Sequence, residues 1–366
     1  MAPLKALLNA AALMAACSTG AHAQHTVRIA TEVERIENPL LSNVSPGGVN
    51  VVRVIADYAY VLETERTRSR FSAGALLERS SDTVLLASRN YPSLGYTWAY
   101  NWPTADLELR ANVAEAATRN TQFEELGRVV IDARERTTVT GAIWNKELTE
   151  RTRLTVDVAN NRVTYDSPLL ESYREVELTT RFSWEESERS TYFFEPGFGR
   201  LTPTGPGVDS TLSRWVVGTR RELSPQLAMT ALGGQARTRG LRPATELVGS
   251  LQLAFTGNRW TSGAEWTRDV RPIGSASGYV TTDVLGARAG YQIGEGTTLS
   301  AGTSRSRWGG PTGGVGHVSN VALEKVLTDR WMTMLSVEDR RFRDLAGVSG
   351  RGWGIRAGLV YAYSGL

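Results

Sequence analysis

The feature that most constrains this chain is an alternation of period two that recurs from one end to the other. In Arg351–Tyr363, the residues Trp353, Ile355, Ala357, Leu359, Tyr361 and Tyr363 alternate with Gly354, Arg356, Gly358, Val360 and Ala362. Successive side chains of a strand point to opposite faces, so this segment is a strand with one greasy face and one small or polar face. Val52, Val54, Ala56, Tyr58, Tyr60 and Leu62 likewise oppose Arg53 and Asp57, and Val176, Leu178, Phe182 and Trp184 oppose Glu175, Glu177 and Arg181. A strand whose polar face carries charge at mid-span suits a wet lumen better than a dry sandwich interior.

The connections between these segments are of two kinds. Short turns fall at Glu63–Thr67, Trp102–Ala105, Glu147–Thr152, Glu185–Arg189, Glu222–Gln226, Thr256–Arg259, Gly294–Thr297 and Leu327–Arg330. Midway between them lie longer stretches rich in Gly, Pro, Asn, Ser and Asp: Glu37–Gly48, Ser80–Pro92, Thr118–Gly127, Asn161–Ser172, Glu195–Asp209, Thr238–Thr245, Arg271–Gly278, Gly309–Gly316 and Phe342–Gly350. Short turns on one rim and long loops on the other are the asymmetry of an outer-membrane barrel, with the short side periplasmic. The pattern predicts an all-β fold, a single transmembrane antiparallel up-and-down β-barrel of about eighteen strands, sixteen being the alternative. Closure requires the first strand, Val27–Ile36, to pair with the last, because an open edge in lipid leaves backbone groups unsatisfied. Alternation fails over Arg128–Arg136, so the start of the sixth strand is not fixed by pattern.

Residues 1–23 read as a cleaved secretory signal: Lys5 supplies the positive region, Ala6–Ala16 the apolar one, and Ala21-His22-Ala23 a small-x-small cleavage site. The barrel domain is then 24–366. The sole cysteine, Cys17, lies in the signal, which leaves the mature chain without disulfides. The competing reading, a lipidated Cys17, has a poor lipobox in Met14-Ala15-Ala16. The net charge is +3, and removing Lys5 makes it 3 − 1 = +2; acidic and basic residues interleave without a basic patch, which argues against nucleic acid as a partner.

On the strands so placed, Arg53, Asp57, Glu78, Glu108, Arg110, Asp157, Glu175, Glu177, Arg181, Arg214, Arg220, Glu265, Arg288, Glu338 and Arg356 project inward, eight acidic and seven basic. Such a lining either pairs across strands to keep the interior soluble or conducts a polar solute, arginine planes being suited to hydroxyls and carboxylates. Tyr60, Trp102, Trp144, Trp184, Trp260, Tyr291, Trp331, Tyr361 and Tyr363 gather on the apolar face near the short turns, where indole and phenol rings favour the headgroup boundary with membrane lipid. Lys325 falls on the apolar face of its strand. Two mature histidines and no cysteine make no zinc site, and no cofactor is implied. A constricting loop of the kind a general diffusion porin uses has its longest candidate in Glu195–Asp209, and the segment Gln24–Thr26 is too short to plug the lumen.

Three resemblances sharpen this. Arg356, Gly358, Tyr361 and Tyr363 fall in the order polar-x-Gly-x-x-hydrophobic-x-aromatic, which resembles the C-terminal signal read by the outer-membrane barrel-assembly machinery; here Ser364, Gly365 and Leu366 follow, where such proteins usually stop. His317-Val318-Ser319-Asn320 resembles the His-x-Ser-Asn run of outer-membrane phospholipase A, in which histidine activates a serine. The following Gly is replaced by Val321, and no Asn-bearing segment follows in Asp329–Thr333, so the expectation is no enzyme. Glu147–Arg151, Glu185–Arg189 and the Glu65…Leu77-Glu-Arg-Ser-Ser-Asp82…Leu94 run resemble Arg- and Ser-rich barrels found with exopolysaccharide-production systems. That likeness implies a channel for polysaccharide with a periplasmic export partner. A structural or surface barrel is the alternative.

Overall fold

The computed structural model describes residues 22–121, 131–273, 276–309 and 313–365. Most of the expected signal segment, residues 1–21, lies outside the described residues, and its last two residues, His22 and Ala23, begin the first strand. Eighteen strands follow. They are β1 (His22–Glu37), β2 (Gly48–Glu63), β3 (Thr67–Ser80), β4 (Arg89–Trp102), β5 (Ala105–Ala117) and β6 (Arg134–Thr149). Next come β7 (Thr152–Tyr165), β8 (Tyr173–Ser187), β9 (Ser190–Pro203), β10 (Ser210–Ser224), β11 (Leu227–Arg239) and β12 (Ala244–Thr256). The last are β13 (Trp260–Ile273), β14 (Ala276–Gly294), β15 (Thr297–Trp308), β16 (Gly314–Thr328), β17 (Trp331–Asp344) and β18 (Ser349–Gly365). Each strand pairs antiparallel with its neighbours in sequence, and β1 pairs with β18. The sheet is closed.

All eight short turns lie where the sequence puts them, and their chemistry explains the recurring Ser/Thr. Thr64 Oγ1 accepts the Thr67 amide at 3.0 Å, Ser224 Oγ that of Leu227 at 3.1 Å, and Thr328 Oγ1 that of Trp331 at 3.2 Å. A hydroxyl caps the amide that the reversing backbone cannot pair. Register shifts beside the turns, such as Glu147/Thr149 and Val326/Thr328, accommodate the extra residue.

The long side departs more from expectation. Glu195–Pro203 is strand, not loop, so Glu195–Asp209 offers no constricting loop; only residues 204–209 connect β9 to β10. The Pro-Gly composition misled because Pro196 sits inside β9. The β8–β9 register passes from Thr179↔Gly197 to Phe182↔Phe194, a gap at the residue that has no N–H to give. The uncertain start of the sixth strand is Arg134; residues 122–130 of the preceding connection lie outside the described set.

The two faces differ as alternation demands. Outward are Ile29, Val33, Leu109, Phe194, Trp215, Leu285 and Leu359, each at least 40% exposed where water is counted as solvent. These form the lipid-facing band. Aromatic pairs across strands line its short-turn edge: Trp260 with Tyr291 at 4.4 Å, Trp331 with Tyr361 at 5.0 Å and Trp184 with Tyr192 at 5.8 Å between ring centroids. Lys325 lies on the same outward face at this edge, opposite Thr333 and Thr297. Among the described residues no helix is long and apolar enough to cross a membrane.

β1 and β18 meet from His25↔Gly365 to Glu37↔Trp353, so Val27–Ile36 faces the last strand as closure requires. Ser364 and Gly365 are part of that ladder, opposite Thr26 and His25. Changing Tyr361 and Tyr363 together to Ser is expected to reduce the heat-modifiable, folded band in outer-membrane fractions severalfold. Wild-type levels of folded double variant would remove these rings from the account of assembly.

Candidate functional site

The lumen is built from the inward face of the wall, and the wall residues expected to line it lie on that face. Arg53, Asp57, Glu108, Arg110, Asp157, Glu175, Glu177, Arg181, Arg214, Arg220, Arg288, Glu338 and Arg356 all share the inward parity fixed by the cross-strand registers. Most are tied into ion pairs. Asp57 meets Arg28 at 3.4 Å, Arg110 meets Asp157 at 2.9 Å, and Glu338 pairs with Arg340. Glu108, Arg220 and Arg288 stand outside these pairs.

One network runs round the inner wall from β18 to β3. Arg356 reaches Glu34 at 3.1 Å and Glu32 at 3.7 Å; Glu34 pairs with Arg53, whose Nε donates to Glu78 at 2.8 Å. Glu78 also receives Arg119, which donates to Asp132 at 2.7 Å. Arg119 and Asp132 belong to the β5–β6 connection, so its two described ends, beside β5 and β6, are held inside the barrel. Burial works against the Arg119 charge, but Glu78 and Asp132 outweigh it and hold the guanidinium protonated.

Other loops also turn inward. Leu86, from the β3–β4 connection, packs fully buried against Val49 and Val51 of β2. The β1–β2 connection lies against β18: a Cβ added at Gly350 would stand 1.8 Å from the Leu41 carbonyl oxygen. Asn38 and Leu41 take positive φ values of 51° and 53° there. The Asn38 side chain makes this turn possible, donating to the Ser42 and Arg351 carbonyls at 2.7 and 3.0 Å.

A further intrusion comes from β13 and β14. β12 and β13 pair only from Thr256↔Thr261 to Gly249↔Arg268, and beyond this fork β13 stays with β14 alone. β14 pairs with β15 only as far as Thr282↔Trp308. The two-stranded tip between Asp269 and Thr281 has therefore left the wall. In an alternating strand Val270 would face lipid; here it is 4% exposed and packs with Leu201, Leu212, Val216, Ala236, Val248 and Tyr279. Ile273 and Val280 pack on the other side of the tip, with Leu41, Trp308 and Phe342. Both faces are dry, as befits a hairpin lying across a lumen.

A second polar network anchors it. The Tyr279 hydroxyl donates to Glu175 Oε1 on β8 at 2.9 Å, and Gly199 on β9 leaves room for that ring: a Cβ there would meet the hydroxyl at 2.8 Å. Arg214 on β10 lies 3.2 Å from Glu177, 3.6 Å from Glu195 and 3.9 Å from Asp269, and Arg181 Nε donates to Glu195 at 2.7 Å. At the fork the Val270 amide, deprived of β12, donates to Asp269 Oδ1 at 2.8 Å. Arg268 bridges the gap to Glu246 on β12 at 2.8 Å and to Asp283 on β14 at 3.6 Å. Leu247, just beyond the fork, is 72% exposed.

The sequence reading thus places the wall residues but misses those that act from inward segments. Glu32 and Glu34 were legible, being on the face of β1 opposite Val27, Ile29 and Val33. Arg119, Asp132 and Tyr279 were not, because their segments follow neither the wall nor its period. Gln24–Thr26, expected to be too short to plug the lumen, is part of β1; the internal mass comes instead from the loops and the β13–β14 tip, which the sequence reading did not supply.

His317 and Ser319 lie on the outward, lipid-facing side of β16. His317 Nε2 and Ser319 Oγ each contact Thr303 Oγ1, at 3.3 and 3.1 Å, so a threonine stands between the would-be base and nucleophile. Among the described residues no group of three or more His, Cys, Asp or Glu is arranged to hold a metal ion.

No protein-family model and no curated protein matches the sequence. Solved structures do match the fold. OccAB4 of Acinetobacter baumannii superposes with a TM-score of 0.54 at 10% identity, over 95% of this chain and 99% of that one. OpdK of Pseudomonas aeruginosa, crystallised with vanillate, gives 0.53 at 9% identity over 94% and 99%. The siderophore receptor PirA of the same organism gives 0.51 at 11% over 94% and 80%. The fold and its apolar exterior are those of a barrel of the bacterial outer membrane.

Removing Glu78 tests the first network. Glu78→Ala leaves Arg53 and Arg119 facing each other without their shared carboxylate, a loss of about 3–5 kcal/mol for a broken buried ion pair. Urea unfolding of the reconstituted barrel is expected to show that loss, whereas Arg220→Ala at an unpaired lumen position is expected to change stability by less than about 0.5 kcal/mol.

Proposed function

We propose that the chain is a gated outer-membrane channel for small polar solutes, with the β13–β14 tip as its gate. The observation that carries this reading is a two-stranded tip lying across a charged lumen while the edge it left, β12 beyond Gly249, stands without a β13 partner. Extending the β12–β13 register past Gly249↔Arg268 sets Val248 against Asp269 and Leu247 against Val270. The tip thus has a second seat in the wall, with Val270 then facing lipid beside Leu247. The lumen face offers guanidinium and carboxylate groups suited to a polar cargo. Likeness to OpdK, whose crystals hold vanillate, supports a small solute. Polysaccharide passage would need the tip and the inward loops displaced together, so we rank the implied export role below small-solute transport. We assign the chain no catalytic residue.

A disulfide lock tests the gate. A Cβ at Gly278 lies 4.0 Å from Ser210 Cβ, within the span a disulfide bridges. Gly278 takes a φ of +85°, which strains any side chain, so the Gly278→Cys single variant serves as the control; oxidised Ser210→Cys/Gly278→Cys barrels are expected to be silent in planar bilayers and to conduct after reduction to the level of that control. Tyr279→Phe, which removes a hydrogen bond to a carboxylate worth about 1.5–3 kcal/mol, is expected to raise open probability roughly tenfold. Equal conductance of oxidised and reduced forms would remove the tip as gate. Silence of every form, Tyr279→Phe included, would favour the structural barrel.

A further inference from the structure

The exterior carries a feature the channel reading does not use. At the long-loop edge of the apolar band, Arg305 on β15, His317 on β16, Arg341 on β17 and Arg351 on β18 are direct cross-strand neighbours on the outward face, Arg305↔His317, His317↔Arg341 and Arg341↔Arg351. Arg341 and Arg351, like charges side by side on adjacent strands, repel. One carboxylate lies among them: Asp339 accepts from Arg341 Nε and Arg351 Nε, both at 2.7 Å. Arg341 and Arg351 remain more than half exposed even so. Arg307 and Arg343 extend the row one step further outward, and His317 Nδ1 is buried with no hydrogen-bond partner.

Directly below this row, towards the middle of the band, the wall is hollowed. Ala287, Ala289, Ala301, Val321 and Val337 line a groove of about 550 Å³ on the lipid face, with Thr303, Ser319 and Asp339 at its upper end. The opposite, short-turn edge of the same strands carries Tyr291, Trp331 and Tyr361 in place of arginines.

We propose that this row and groove form a binding site for a phosphate-bearing lipid of the outer leaflet, its phosphate on the guanidinium row and an acyl chain in the groove. The long-loop rim faces outward, so the row stands at the depth of the outer headgroups. Guanidinium forks bind phosphate oxygens bidentately, and each such contact is charge-assisted. The lipid adds negative charge to a row in which one carboxylate, Asp339, serves two arginines, and its chain fills a hollow made by small residues.

The test uses the full barrel, purified and titrated with bis-phosphorylated lipid A, its dephosphorylated form, and inorganic phosphate, with bound lipid counted by native mass spectrometry. Lipid A is expected to bind, and Arg305→Gln/Arg341→Gln to weaken it at least about tenfold. Ala301→Phe, which fills the groove, is expected to weaken it as well, while Arg237→Gln/Arg239→Gln on β11 leaves it unchanged. Heat-modifiable migration confirms folding of each variant, and if Ala301→Phe does not fold, the arginine pair decides alone. Equal retention by the arginine pair would overturn the site, as would equal binding of the dephosphorylated lipid. Displacement of lipid A by inorganic phosphate at millimolar concentration would mark a free-anion site and overturn the assignment to lipid.

Discussion

Everything in this barrel rests on the ladder between β1 and β18. In a bilayer no water reaches an unpaired strand edge, and each orphaned amide or carbonyl costs several kcal/mol. Closure removes the edge and thereby fixes much else: an even number of strands, both ends of the chain on one side, and an inward face that is continuous from strand to strand. Beside the short gap at Pro196, the ladder opens at the fork between β12 and β13, which lies at the long-loop end, where water and headgroups can reach the freed backbone. Even there one freed amide is capped, by the side chain of Asp269.

The interior obeys a second constraint. Charges packed away from solvent destabilise unless paired, and here Arg53 lies between Glu34 and Glu78 and Arg119 between Glu78 and Asp132, so each buried guanidinium meets two carboxylates, with Glu78 shared. Arginine suits this use because its planar fork presents several donors at once. The same linkages tie segments that are remote in sequence, Glu34 to Arg53, Glu78 to Arg119, Glu175 to Tyr279, so the inward loops and the β13–β14 tip are positioned by polar contacts and sealed by apolar ones. Network and tip are therefore one construction: the residues that line the lumen also hold what lies across it.

The wall was legible in the sequence because two local rules suffice for it. Alternation gives the faces, and Ser or Thr beside a charged residue gives the short turns, which is why Glu147–Thr152 and Glu222–Gln226 could be placed from residues alone. Where a non-local contact decides, those rules fail. Glu195-Pro-Gly reads as a loop, yet β9 runs through it because β10 supplies partners on one side. Val270, Tyr279 and Val280 read as a loop flank, and only the lumen-crossing contacts show what they do. Arg119 follows no period at all, since it answers to Glu78 on β3, two strands away, and to Asp132 at the far end of its own connection.

The β13–β14 tip has a consequence for how such a protein can change. A residue in the wall serves two masters, lipid on one side and lumen on the other, and a one-place shift in register would exchange them. Packed across the lumen, with Val270 buried on one face and Ile273 and Val280 on the other, the tip is exempt from that discipline. Its side chains answer only to shape and to a handful of polar anchors, as in a soluble core. It is in effect an exchangeable insert in a fixed frame, so the bore of the barrel can be recut by altering a few residues near Tyr279 while the strands that hold it in the membrane stay as they are.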